Sequence, residues 1–106
     1  MRNLKEGPRW LDQAQADLKT AKDCLKDENY YASAFFSQQA AEKAVKGFLY
    51  SKGLRAIITH SVLELVDEAT RWEKSIVSYR EEARELDRHY IGSRYPSFYP
   101  AGSEQP

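Results

Sequence analysis

The chain has 106 residues, of which 42% are hydrophobic, enough for one modest core in a single domain, and this composition excludes a wholly disordered protein. The 16 basic and 16 acidic side chains give a formal net charge of zero, which argues against the sequence-independent duplex binding of strongly basic domains. A single cysteine, Cys24, excludes an internal disulfide and a thiolate metal cluster within one chain.

No apolar stretch approaches the length of a membrane span, and the first residues, MRNLKEGPRW, contain no apolar segment typical of a secretory signal. We therefore expect a cytoplasmic protein that does not enter a membrane.

The first predicted helix begins at Pro8, because a proline at the first helical position loses no hydrogen bond there, and it runs to about residue 27. Apolar residues recur along it at steps of three and four and form one stripe: Leu11, Ala14, Leu18, Ala21 and Leu25. Polar residues fill the other positions, so this helix should be amphipathic.

A second helix is predicted over roughly residues 30–52, between a polar break at 27–29 and Gly53, which suits a left-handed cap. Its sequence, YYASAFFSQQAAEKAVKGFLYSK, has apolar residues on most sides and several small residues. Small residues let neighbouring backbones approach closely. This should be the central and most buried helix.

Two further amphipathic helices are predicted after a short loop at 53–59. Thr59 or Ser61 can cap the third helix. Its apolar positions are Val62, Leu65, Val66 and Ala69. The fourth carries Ile76, Tyr79, Ala83, Leu86 and Tyr90. Gly92 and Pro96 should end it.

Four amphipathic helices joined by short loops indicate an all-α protein, an antiparallel up-and-down helical bundle. We expect one domain over residues 1–100 and a polar tail at 101–106. No alternating strand pattern or internal repeat occurs in the sequence.

Two arginine–histidine pairs share one spacing, Arg55 with His60 and Arg84 with His89. Either pair suits RNA cleavage, because histidine transfers protons near neutral pH and arginine stabilises charge on phosphate. On a helix this spacing separates two side chains by roughly 140°, which disfavours the second pair, whereas the first lies in a predicted loop. His60 can instead join the cap at Ser61 or pack against the second helix. No pattern for a metal site or a glycine-rich phosphate loop occurs, so we expect no metal and no cofactor.

The segment LDRHYIGSRYPSFYP, residues 86–100, combines aromatic rings with basic side chains. Pro96 favours an extended conformation at Tyr95, so the helix should stop there and leave Arg94 near the end of the bundle, where it can bind an anion. Tyr95, Phe98 and Tyr99 can either cover the core or stack on a base. Covering the core is the favoured role, because a small bundle needs its apolar ends covered.

Four segments, in order, resemble the HEPN family, the "higher eukaryotes and prokaryotes nucleotide-binding" domain: WLDQAQADLKTAKDCL, SQQAAEKAVKGFL, THSVLELV and LDRHYIGSRYP. The resemblance covers residues 7–100. The matching positions are Gln39, Ala40, Glu42, Lys43, Lys46, His60, Leu86, Asp87, Tyr90, Arg94, Tyr95 and Pro96.

The resemblance implies a homodimeric helical bundle that is often encoded beside a small nucleotidyltransferase, in a superfamily that includes RNases and toxins. Those nucleases carry an arginine followed shortly by a histidine. Arg94 is the best match by position, but residues 95–100 contain no histidine, so the nuclease motif is incomplete. Similar domains also add a helix after this segment, so the sequence is either a shorter member or part of a longer chain, with a groove open to a partner.

We therefore expect a nucleotide- or polyanion-binding module, without enzymatic activity, that acts as a homodimer and pairs with a minimal nucleotidyltransferase. The expected ligand contacts are Arg94, Tyr95, Lys43, Lys46 and His60. The two lysines share a helix face, and a solvated face is their alternative interpretation. The alternative function is a metal-independent RNA endonuclease, the toxin of a toxin–antitoxin pair, using Arg94 with His60 or His89 across a dimer interface. A purely structural interaction domain is the third possibility.

Overall fold

The computed structural model describes the backbone of residues 6–94 and the side chains of residues 6–89. Within that range the chain forms four α-helices and one 3-10 helix and has no strand. The elements are α1 (Glu6–Lys26), α2 (Tyr30–Ser51), α3 (Val62–Thr70), the 3-10 helix (Lys74–Tyr79) and α4 (Arg80–Arg94). The predicted all-α bundle is confirmed. Over the described residues, no helix combines the length and the apolar character that crossing a membrane requires.

Helices α1 and α2 form an antiparallel hairpin with a very close approach at one end. Gly7 and Gly47 face each other there, and a Cβ atom added at Gly47 would lie 3.0 Å from the Gly7 carbonyl oxygen. At the other end, the Ser33 hydroxyl donates to the Ala21 carbonyl at 2.9 Å. Glycine is required at the close approach because any side chain would separate the helices.

The apolar stripe of α1 divides between two environments. Its alanines, Ala14 and Ala21, are buried, whereas Leu11, Leu18 and Leu25 are 49%, 44% and 55% exposed. Among the described elements, α1 contacts only α2, so its buried alanines lie on the side that faces α2, whereas its leucines lie beside that contact. The predicted stripe is therefore buried at its alanines and about half exposed at its leucines.

The end of α2 confirms the predicted left-handed cap. Gly53 has φ 99°. Its N–H donates to the Tyr50 carbonyl at 3.0 Å, and the Leu54 N–H donates to the Leu49 carbonyl at 3.2 Å. These two bonds satisfy the last carbonyls of the helix and turn the chain back towards the core.

The core joins α2 to α3 and α4. One cluster of buried residues contains Leu49, Leu65 and Ala69. The other contains Val62, Val66 and Ala83. The buried α3 positions are the four that the sequence predicted, and α2 contacts α1, α3 and α4, so its central position is confirmed.

The predicted fourth helix is two elements in the structure. Residues 74–79 form the 3-10 helix, whose start is capped by Glu73 Oε2, which accepts from the Ser75 N–H at 3.5 Å and also from the Ser75 hydroxyl at 2.8 Å. Helix α4 begins at Arg80 and is described to Arg94, between Gly92 and Pro96, and Pro96 lies outside the described residues.

An ion pair at the surface links α3 to the start of α4. The Arg80 guanidinium donates to both oxygens of Asp67, at 2.6 and 3.1 Å. These hydrogen bonds, with the charge of Arg80, hold the pKa of Asp67 below its ordinary value of 3.8.

Candidate functional site

Three polar side chains are buried along one face of α2. Gln38, Glu42 and Lys46 follow one another at steps of four residues, and all three are buried. Burial of a charged side chain is costly unless it is paired and hydrogen-bonded. The partners of these three residues therefore define the site.

The Glu42 carboxylate accepts hydrogen bonds from three side chains. Its Oε2 accepts from Lys46 Nζ at 2.9 Å and lies 2.9 Å from His60 Nδ1. Its Oε1 accepts from Gln38 Nε2 at 3.1 Å. Within the described residues, no buried side-chain polar atom lacks a hydrogen-bond partner. The cluster is thus a satisfied polar network, and His60 is its link to the surface.

His60 is held at both its ring and its backbone. Gln38 Nε2 donates to the His60 carbonyl at 3.1 Å, while the His60 side chain is 56% exposed. Because a carboxylate accepts hydrogen bonds, His60 Nδ1 is the donor in this contact. The prediction that His60 packs against the second helix is confirmed.

Asp87 of α4 fixes the start of α3 directly after His60. Its carboxylate accepts from the Val62 N–H at 2.6 Å, the Ser61 hydroxyl at 2.7 Å and the Leu63 N–H at 3.1 Å. Ser61 is also the predicted cap, since its hydroxyl accepts from the Glu64 N–H at 3.1 Å. A carboxylate at a helix N-terminus stabilises the helix and occupies the position that an external anion would take.

Lys46 lies over an aromatic ring as well as beside Glu42. Its Nζ lies 5.7 Å from the centre of the Trp10 ring. Trp10 stacks on Tyr50 at 5.5 Å, and its Nε1 donates to Glu6 at 2.8 Å. A cation over an aromatic face gains electrostatic stabilisation. The alternative interpretation of a solvated face is therefore wrong for Lys46.

Lys43 lies on an adjoining face of α2 and bridges to α1. Its Nζ donates to Asp17 Oδ2 at 2.6 Å, and its side chain is only partly exposed. Lys43 also lines a surface cavity of about 330 Å³ beside Arg9 and Trp10. The two lysines thus have different acidic partners, on α1 and on α2.

The other residues singled out in the sequence lie elsewhere. Arg55 is exposed in the loop before α3. Arg84 donates to Glu81 at 2.5 Å on α4, and His89 is exposed on the same helix. The side chain of Arg94 and all of Tyr95 lie outside the described residues, so their proposed roles stay predictions.

Sequence reasoning did not identify Gln38 or Glu42 as site residues. The available signal was the recurrence of polar residues at steps of four within the helix predicted to be most buried. Such a pattern on a central helix indicates a buried polar network. Across residues 6–89, no group of three or more His, Cys, Asp or Glu side chains is arranged to hold a metal ion.

Comparison with known proteins gives a family and a relative. The chain is 29% identical over 104 residues to "Putative toxin MJ1304" of Methanocaldococcus jannaschii, an alignment that covers 92% of this chain and 68% of the relative. No solved structure gives a significant match. The profile of the HEPN domain matches residues 8–105, nearly the whole sequence. The chain therefore belongs to the HEPN domain family.

Proposed function

We propose that this chain is a nucleotide- or polyanion-binding HEPN module that acts as a homodimer in the cytoplasm and pairs with a minimal nucleotidyltransferase. The supporting observation is the half-exposed imidazole of His60, which a buried carboxylate holds in one orientation. In this proposal His60 contacts a ligand phosphate, together with Arg94 and Tyr95. Lys43 adds positive charge from α2, and Lys46 acts through Glu42.

The cost of the buried cluster supports this role. A buried ion pair contributes little net stability compared with apolar residues of similar size. The fold would therefore lose little if Glu42 and Lys46 were both replaced by apolar residues. What the pair provides is a fixed position for His60, and a preorganised group binds a ligand at a lower entropic cost.

Calorimetric titration with ATP and GTP tests the binding role. We expect His60→Ala to weaken binding at least about tenfold, because a hydrogen bond to a charged phosphate is lost. Lys19→Ala is the control, since it removes an exposed cation of α1 whose partner is Asp23. Absence of heat and of a thermal shift with both nucleotides would contradict the proposal and leave a protein-interaction domain.

Co-purification with a co-expressed minimal nucleotidyltransferase tests the partner.

A metal-independent RNA endonuclease of the toxin type is the second candidate. The contact between Glu42 and His60 favours it, because a carboxylate that orients an imidazole is the arrangement of a general base. The relative's name, which describes a toxin, points the same way.

In RNA cleavage of this kind, His60 takes the proton of a ribose 2′-hydroxyl. The 2′-oxygen then attacks phosphorus and the bond to the 5′-oxygen breaks. The 5′-oxygen takes the proton back from the protonated imidazole, directly or through water, so that a 2′,3′-cyclic phosphate and a 5′-hydroxyl form, with Arg94 stabilising the charge on phosphate.

Incubation with end-labelled RNA, with and without EDTA, separates the two candidates. The nuclease predicts cleavage that survives chelation, leaves cyclic phosphate ends and is lost in both His60→Ala and Arg94→Ala. Cleavage that depends on His89 instead would show that the pair of Glu42 and His60 is not the catalytic base. Absence of cleavage, with nucleotide binding intact, would leave the binding module.

A further inference from the structure

An apolar groove runs along α2 between α1 on one side and α4 with the 3-10 helix on the other. It consists of three adjoining cavities of about 320, 340 and 380 Å³, and Ala44 of α2 lines all three. Leu11 lines it from α1, and Leu86 lines it from α4. Small residues of α2 lie at the bottom of this groove, between the flanking helices. Such a groove can accept a further helix, because a backbone can approach small residues closely.

Two outer leucines of α1, Leu11 and Leu18, line this groove, and Leu25 continues their heptad spacing. Leu11, Leu18 and Leu25 are seven residues apart and about half exposed. Leucines at one position of successive heptads lie on the same side of a helix, where they can pack against a neighbouring helix. Since α1 contacts only α2 among the described elements, this row of leucines has no partner helix within residues 6–89.

The charges beside the two surfaces are complementary. Glu82 lines the groove from α4, whereas the neighbouring Glu81 and Glu85 are paired with Arg84 and Arg88. On α1, exposed Lys22 and Lys26 flank the leucines, and Asp23 beside them is paired with Lys19. An amphipathic helix with basic flanks therefore suits the groove, and α1 itself is such a helix.

We propose that a second copy of this chain occupies the groove, with the α1 leucines of each copy packed against the groove of the other. The inference rests on the homodimer of the proposed function and names its surface. One chain carries both complementary surfaces, which is the requirement for a closed two-fold dimer. With Leu18 nearest the two-fold axis, the two α1 helices run antiparallel. Leu25 of the second copy then lies level with Leu11, and Lys26 of the second copy lies level with Glu82.

Light scattering after size-exclusion chromatography, over a series of concentrations, tests the surface. The wild-type chain should be a dimer, and Leu18→Glu should raise the dimer dissociation constant by at least about a hundredfold, because it places a charge in an apolar contact. Ile58→Glu is the matched control, since Ile58 is an exposed apolar residue, 87% accessible, in the loop after α2. It should leave the dimer intact. Circular dichroism and a thermal melt verify that each variant is folded.

A charge exchange tests the same surface without altering an apolar residue. Lys26→Glu and Glu82→Lys should each weaken the dimer about tenfold, and the double variant should recover most of the loss, because the two charges are again opposite.

The outcomes separate failure of the surface from failure of the proposed function. A dimer that Leu18→Glu leaves intact, or a double variant no tighter than the single ones, overturns the surface and leaves the homodimer standing. A wild-type chain that is monomeric at every concentration overturns both, and assigns the groove to residues 95–106 or to a different protein. The nucleotide titration reports on ligand binding in either case.

Discussion

Replacement of Glu42 by glutamine tests the central feature of the candidate site. Glu42 balances the buried ammonium of Lys46 and orients His60. Glutamine has nearly the same shape, and its amide oxygen, which has two lone pairs, can accept at most two of the three hydrogen bonds. The substitution therefore removes the negative charge and little else, so Lys46 is left buried without a counter-charge.

The expected loss is large because both partners are almost inaccessible. The side chains of Lys46 and Glu42 are 5% and 7% exposed. Breaking a buried ion pair by removing one partner costs about 3–5 kcal/mol, a large part of the stability of a small domain. For a domain of this size, a loss of 3 kcal/mol lowers Tm by at least about 12 °C.

Urea and thermal unfolding of four proteins measure the effect. They are the wild-type chain, Glu42→Gln, Lys46→Met and the double variant. The double variant should be more stable than Glu42→Gln alone, because it removes the Lys46 charge as well as the Glu42 charge and leaves no unpaired charge buried. Glu68→Gln is the control, since Glu68 forms an exposed pair with Arg71 at 3.3 Å and should contribute less than about 1 kcal/mol.

The reasoning is refuted if Glu42→Gln costs no more than Glu68→Gln, or if Lys46→Met fails to relieve it. Either result would mean that the buried ammonium is not held by the Glu42 carboxylate. His60 would then have no fixed orientation, and the argument for a preorganised ligand contact would fail.

Two further predictions concern the contacts that position α3. Asp87→Ala should lower the free energy of unfolding by about 2–3 kcal/mol, because three donors at the start of α3 lose a charged acceptor. Urea unfolding measures this loss. Amide hydrogen exchange at Val62 and Leu63 should also become faster. Asp67→Asn should be less stable than the wild-type chain near neutral pH. Because the folded pKa of Asp67 lies below 3.8, its stabilising effect is present above that pH and is lost as the pH falls through the folded value, so thermal melts of the two proteins should converge in acid. Convergence at neutral pH, at low salt, would show that the pair with Arg80 has no effect.

Local patterns in the sequence determined the helices and most of their ends. The stripe of α3 and the caps at Gly53 and Ser61 depend on hydrogen bonds and apolar spacing within a few residues, so they can be identified without knowledge of the rest of the fold. The 3-10 helix before α4 was not identified, because Ile76 and Tyr79 continue the apolar spacing of the helix that follows.

Only the tertiary structure decided which of these residues meet. Glu42 and His60 are 18 residues apart in sequence, and Asp87 reaches the start of α3 across 25 residues, so neither contact has a local signal. The leucines of α1 show the same limit: their spacing indicates an apolar face, but their exposure depends on whether a neighbouring helix covers that face. Periodicity reports the side of a helix on which a residue lies. Burial and hydrogen bonding depend on what the fold brings to that side.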